Sequence, residues 1–242
     1  MIFERSTLID AMTDLDDPDF VLVLSFFRQA GIDLYDESFA LKEWCLEQAG
    51  RGNPEAQHAI AKLFHVGIFG GQDELTAYYW CCRAVESGYA PALHMLAGFQ
   101  ADGVADLVAD QEKAVELFEA AANLNYSPAL VALATMYLAE DASPRGMGRV
   151  RGYLERAVEI GDSAARIILG NLLIESDVAS ETSRGLALIE DSALQGNVAA
   201  HRILSHLYAA HRFGIPVDLA KSIFHRQKAE AIETVRNTRP GR

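Results

Sequence analysis

Five short segments of this chain align without gaps, and their spacing constrains the fold more than any other feature. They are Gly52 to Ala56, Gly88 to Ala92, Asn125 to Ala129, Gly161 to Ala165 and Gly196 to Ala200, with starts 36, 37, 36 and 35 residues apart. A period of this length marks one supersecondary unit, which cannot bury its apolar face alone and must stack on its neighbours. Each anchor has a physical reading. Its leading Gly or Asn takes the left-handed conformation that ends a helix. Pro54, Pro91 and Pro128 sit where the first turn of the next helix loses no hydrogen bond. The closing Ala opens a new helix at a point of close approach.

The pattern continues downstream of each anchor Ala. Four residues on come Ile60, Leu96, Leu133, Leu169 and Leu204; five on come the small residues Ala61, Ala97, Ala134, Gly170 and Ser205. Seven on come Leu63, Phe99, Met136, Leu172 and Leu207. These offsets lie on one helical face. Upstream of each anchor a second helix carries Ala77, Trp80 and Ala84, then Ala114, Leu117 and Ala121, Val150, Tyr153 and Ala157, and Gly185, Leu188 and Ser192. Asp73 and Asp110 stand at N-cap positions before two of these. The spacing predicts A-type helices over 54–66, 91–101, 127–139, 163–175 and 198–211. B-type helices are expected over 37–49, 73–87, 110–124, 147–160, 182–195 and 218–234, with one more helix over 18–30 capped by Asp17. The chain is thus expected to be all-α, about five helix pairs plus N-terminal helices.

The run A-x-x-x-L-[AG]-x-[LM]-[YF], a Gly-containing loop, D-x-x-x-A and A-x-x-x-G resembles the Sel-one-like repeat (SLR) of the tetratricopeptide (TPR) superfamily. Ala56 to Gly88 and Ala92 to Asn125 carry it best, and the resemblance covers about 52–232. It departs in two loops: Glu140 to Gly148 and Glu175 to Glu181 lack the usual loop glycine and are expected to be shaped differently. The resemblance implies a right-handed superhelix and a scaffold or adaptor role without enzyme activity. On this reading residues 1–50 are N-terminal capping helices, 51–235 the solenoid and 236–242 a disordered basic tail. The resemblance also implies that A-type helices line a concave surface, reached two and six residues after each anchor Ala. Those positions hold His58 and Lys62, His94 and Gly98, Val131 and Thr135, Ile167 and Asn171, Arg202 and His206, with His65 one turn beyond Lys62. Basic groups at the ends and apolar ones in the middle suit an acidic, partly apolar peptide or helix. The alternative is that these side chains are simply a solvated face.

Charge and composition narrow the function classes. The formal net charge of −13 argues against bulk binding to nucleic acid or an anionic membrane. Residues 1–50 carry 11 acidic and 3 basic side chains, and residues 201–242 carry 3 acidic and 8 basic. Such complementary ends allow head-to-tail association of copies. No apolar run is long enough to span a bilayer. The apolar stretch Phe20 to Phe27 follows Asp10, Asp14, Asp16, Asp17 and Asp19, the wrong sign for an export signal, so a cytoplasmic protein is expected.

Cys45, Cys81 and Cys82 fit no zinc spacing, and Cys45 and Cys81 occupy equivalent, buried-face positions. His201, His206 and His211 are spaced by five and do not share a helical face. Glu112 and Glu116 read as solvated charges. Gly146-Met147-Gly148 reads as a loop fragment with no preceding strand. Of the adjacent Tyr78 and Tyr79, one must point away from the packing face. No cofactor or metal is expected. The leading expectation is a non-catalytic protein-binding scaffold. An immunity-type protein that neutralises a toxin or secretion-system effector, and a regulatory subunit of an enzyme, are the alternatives.

Overall fold

The computed structural model describes residues 38–67, 71–104, 108–140, 143–176 and 178–238. Among these residues lie eleven helices and no strand. They are α1 (Ser38–Gly50), α2 (Pro54–Val66), α3 (Glu74–Glu86), α4 (Ala90–Asp102), α5 (Gln111–Asn123), α6 (Ser127–Glu140), α7 (Pro144–Ile160), α8 (Ser163–Ile174), α9 (Ala179–Leu194), α10 (Val198–Ala209) and α11 (Leu219–Thr238). The fold is all-α, and the even-numbered helices are the A-type members of the repeat. Two compact units divide the chain, one built from residues up to Ala129 and the other from Leu130 to Pro240. The expected helix over 18–30 lies outside the described residues. α11 runs to Thr238, three residues into the segment assigned to the tail. No helix among the described residues is long and apolar enough to cross a membrane.

The anchors do what their residue types dictate. Gly52, Gly88, Asn125, Gly161 and Gly196 all have positive φ, between +58° and +101°. This left-handed residue stops one helix and redirects the chain into the next. A polar cap then follows within the anchor: the side chains of Asn53, Asp162 and Asn197 accept from the backbone N–H groups of Ala56, Ala165 and Ala200. The expected caps Asp73 and Asp110 accept from Thr76 and Lys113 at 2.9 and 3.0 Å.

The A-to-B loops are of two kinds. The backbone N–H groups of Asp73, Asp110 and Asp218 donate to the carbonyls of Phe64, Gln100 and Tyr208, the eighth residue after the anchor Ala in each repeat. The remaining two loops lack an Asp there and are built otherwise, as their sequences suggested. α7 is capped by Ser143, which accepts from Gly146 at 3.2 Å, and α9 starts after Val178 without a side-chain cap. One expectation needs correction. The segment from Glu140 to Gly148 is not all loop: Ser143 and Pro144 start a helix there, so Gly146 and Gly148 are helical. A serine cap followed by proline is a strong initiation signal, and with the burial of Gly146 and Val150 it starts the helix despite two glycines at about 1 kcal/mol each.

Packing follows the repeat register. In the first unit Ile60, Leu63, Leu96 and Phe99 form a core with Ala77, Cys81 and Ala84 of α3. In the second, Ile174, Ile189, Leu204, Tyr208 and Ile215 do so. Ala61, Ala97 and Ala134 are buried where helices meet. At the same position in α8, Gly170 faces Gly185 of α9 so closely that a Cβ on Gly185 would lie 2.5 Å from the Gly170 carbonyl oxygen. Arg151 and Arg184 lace α7 to α9 through Glu181 and Glu155 at 2.7 and 3.0 Å.

Candidate functional site

The A-type helices of the second unit have two unlike sides. Leu133, Ala134, Leu169 and Leu204 turn inward and are at most 1% exposed. Two residues before or two after this ridge, the chain is not consumed by the core. Val131, Ile167 and Asn171 are half-buried, whereas Thr135, Arg202 and His206 are exposed. Val131 and Thr135 are one helical turn apart, as are Ile167 and Asn171, and Arg202 and His206, so each helix offers one pair on one face. The Thr135 hydroxyl donates to the Ala132 carbonyl at 2.8 Å. Arg202 pairs with Glu233 of α11 at 2.6 Å and still leaves 62% of its side chain exposed.

In the first unit the equivalent pair of α2 is closed, and that of α4 is half-buried. His58 is 1% exposed and Lys62 8%. His58 packs on Tyr89 at 5.6 Å between ring centroids. One repeat later His94, half-buried, packs on Tyr126 at 5.5 Å and on Phe118 at 5.4 Å. The histidine two residues after the anchor Ala thus meets the tyrosine that follows the next anchor's Gly or Asn, in both repeats. His65 sets its ring edge-on to Phe99 at 5.2 Å. Gly98 is half-buried. The unit therefore invests its histidines in aromatic packing.

Other singled-out residues resolve plainly. Cys45 and Cys81 are fully buried. Burial pushes the Cys45 thiol up to about 12, and the Cys81 thiol donates to the Ala92 carbonyl at 3.3 Å. Tyr79 is the tyrosine that points out, 53% exposed, with Arg83 donating to its hydroxyl. Glu112 and Glu116 are exposed. His206 and His211 are exposed and His201 is buried, so the three do not converge.

One cluster escaped the sequence reading. His201 of α10 and His225 of α11 meet through their Nδ1 atoms at 2.9 Å. Tyr208 stacks on His225, with ring centroids 6.1 Å apart. The Tyr208 hydroxyl donates to Glu190 of α9 at 2.6 Å, and Lys221 lies over the same ring. Burial, first, and the Glu190 carboxylate push the Tyr208 phenol up. These partners are 13 to 24 residues apart in sequence, beyond the reach of a search within single helices.

No family model matches the chain, and no curated protein sequence does. Solved structures do. A Sel1 repeat protein from Oxalobacter formigenes superposes with a TM-score of 0.74 at 20% identity, over 94% of this chain and 98% of that one. A protective antigen of uropathogenic Escherichia coli displaying an SLR fold gives 0.71 at 19% identity, over 90% of this chain. This chain spans 49% of the length of that antigen. An immunity protein from Pseudomonas aeruginosa gives 0.58 at 19% identity, over 90% of this chain and 83% of that one. The chain has the fold of Sel1-like repeat proteins.

Proposed function

We propose that this chain is a non-catalytic protein-binding module, a scaffold or adaptor that holds a partner protein or peptide on the A-helix face of its second unit. One observation carries the reading. In three successive A-type helices the repeat keeps Val131 with Thr135, Ile167 with Asn171 and Arg202 with His206 out of the buried core, while the opposite sides of the same helices are sealed. Half-buried apolar groups next to exposed polar and basic ones fit an acidic, partly apolar segment. A partner carboxylate would compete with Glu233 for Arg202. Three cysteines, two of them buried, suit a reducing compartment, the cytoplasm.

The double variant Thr135→Glu/Asn171→Glu, which sets negative charge where an acidic partner would lie, tests the reading. The double variant is expected to keep its helical circular dichroism and to lose the partners that the native protein captures from lysate. Retention of every partner by the double variant would sink the assignment to this face.

The likeness to an immunity protein from Pseudomonas aeruginosa supports a second reading, a dedicated neutraliser of a toxin or effector. The net charge of −13 suits a basic target. Co-expression with products of neighbouring genes distinguishes the two readings: rescue of growth from one toxic product is expected of a neutraliser and not of an adaptor.

A further inference from the structure

α11 breaks the repeat at one packing position. Three residues after the small residue at Ala77, Ala114, Val150 and Gly185, the B-type helices carry Trp80, Leu117, Tyr153 and Leu188. Counted from its cap Asp218, as Ala77 is from Asp73 and Ala114 from Asp110, α11 has Ser222 in the small place and His225 in the large one. α10 meets it with a histidine of its own. The residue after the anchor Ala is Gln57, Leu93, Leu130 and Arg166 in the earlier A-type helices, and a histidine, His201, only in α10 among the five. The two histidines face each other, with ring centroids 5.2 Å apart and Nδ1 atoms at 2.9 Å.

That separation is a hydrogen bond, so one nitrogen carries the hydrogen and the other offers its lone pair. The contact accommodates a single proton added elsewhere on the rings. It cannot accommodate charge on both rings, because each imidazolium has hydrogen on both nitrogens. The geometry points to an acid-released clasp: the His201–His225 pair fastens α11 to α10 while at most one ring is charged, and double protonation frees the helix.

The surroundings set the sign. From α9 come the Glu190 carboxylate and the Ala193 carbonyl, which takes a hydrogen bond from the His201 ring. α10 supplies His201 and Tyr208, the turn after it Asp218, and α11 itself Lys221 and Lys228. Burial, then Lys228, holds His201 below the ordinary histidine range; burial, then His201, does the same for His225 against the pull of Glu190. Undocked rings regain the ordinary value, so the open state binds more protons. Docking is therefore strongest above the ordinary histidine pKa and weakens as pH falls through the docked values. Release also breaks the Arg202–Glu233 pair and the hydrogen bond from the Ser222 hydroxyl to the Ser205 carbonyl.

The test is hydrogen exchange of the full chain at pH about 7.5 and about 5, corrected for the intrinsic exchange rate. Protection over α11 is expected to fall by about tenfold or more at the lower pH while α9 keeps its own. The double variant His201→Leu/His225→Leu, which restores residues found at equivalent positions, is expected to hold α11 equally at both. His201→Gln serves if that variant misfolds, since an amide keeps a hydrogen bond to His225 without titrating, and the acid loss is expected to shrink. An unchanged α11 in the native protein overturns the clasp. So does a loss shared equally by α9, or one that survives undiminished in the variants.

Discussion

Glycine inside a helix is ordinarily a weakness, and replacing it with alanine gains about 1 kcal/mol of helix propensity. At Gly185 the structure reverses that expectation. Its added Cβ would lie 2.5 Å from the Gly170 carbonyl oxygen and 3.0 Å from both Leu173 Cβ and Ile174 Cγ1. Real Cβ contacts essentially never fall below 3.0 Å, so α8 and α9 must separate by at least the missing 0.5 Å. The obstacle is backbone and cannot rotate aside. Separation also loosens Leu173 and Ile174, both at most 2% exposed, and a gap of that size forfeits about a quarter of each contact's attraction. Overpacking of this kind costs at the upper end of about 1–3 kcal/mol. Net of the propensity gain, Gly185→Ala should destabilise by about 1–2 kcal/mol. Gly98, inside α4, has nothing within 4 Å of its ideal Cβ, so Gly98→Ala should stabilise by about 0.5–1 kcal/mol. Urea denaturation followed by circular dichroism measures both against the native protein. If Gly185→Ala proves as stable as Gly98→Ala, the close crossing of α8 and α9 is refuted.

Leu133 is fully buried, so Leu133→Asp should cost more than about 4 kcal/mol and broaden or abolish the cooperative transition; a soluble variant with a native-like urea midpoint would contradict the register. Asp110→Ala removes the acceptor of the Lys113 N–H and should cost about 1 kcal/mol in the same assay, while its own N–H bond to the Gln100 carbonyl persists. In native protein, maleimide should leave Cys45 unmodified, because burial keeps its thiol protonated at neutral pH. Half-buried Cys82 should react first, and equal rates at the two sites would tell against the packing of α1.

Features carried by neighbouring residues were legible in the sequence. The positive φ at Gly52, Gly88, Asn125, Gly161 and Gly196 follows from residue type, as do the caps at Asp73 and Asp110. The small residues five after each anchor predicted close helix approach, and Gly170 against Gly185 is a case of it. The α7 start was misplaced because two glycines masked a Ser-Pro initiation signal at Ser143. Features set by distant partners were not legible. Periodicity gives His58, Lys62, Arg202 and His206 the same kind of position. Only tertiary packing makes the first pair buried and the second exposed. Likewise, no local pattern joins His201 to His225 or Arg202 to Glu233.

The repeat is also a ruler against which exceptions can be measured. The fourth residue after the small one in each B-type helix is Cys81, Phe118, Leu154 and Ile189, all at most 6% exposed. In α11 that place belongs to Arg226, and the place held by Val85, Ala122, Val158 and Ala193 belongs to Glu230; both are exposed. A further helix packed there in the manner of the earlier repeats would bury two charges, which costs far more than burying the apolar residues it replaces. The outer side of α11 is therefore suited to water, as the closing helix of a stacked array must be. Association of copies through this surface would have to run on charge, between basic residues such as Arg226 and Lys228 and the acidic segment 1–50. It would weaken steeply with added salt, whereas an apolar interface would not. Sedimentation at low and high ionic strength separates the two: a salt-insensitive dimer would show that the ruler misplaces Arg226 and Glu230.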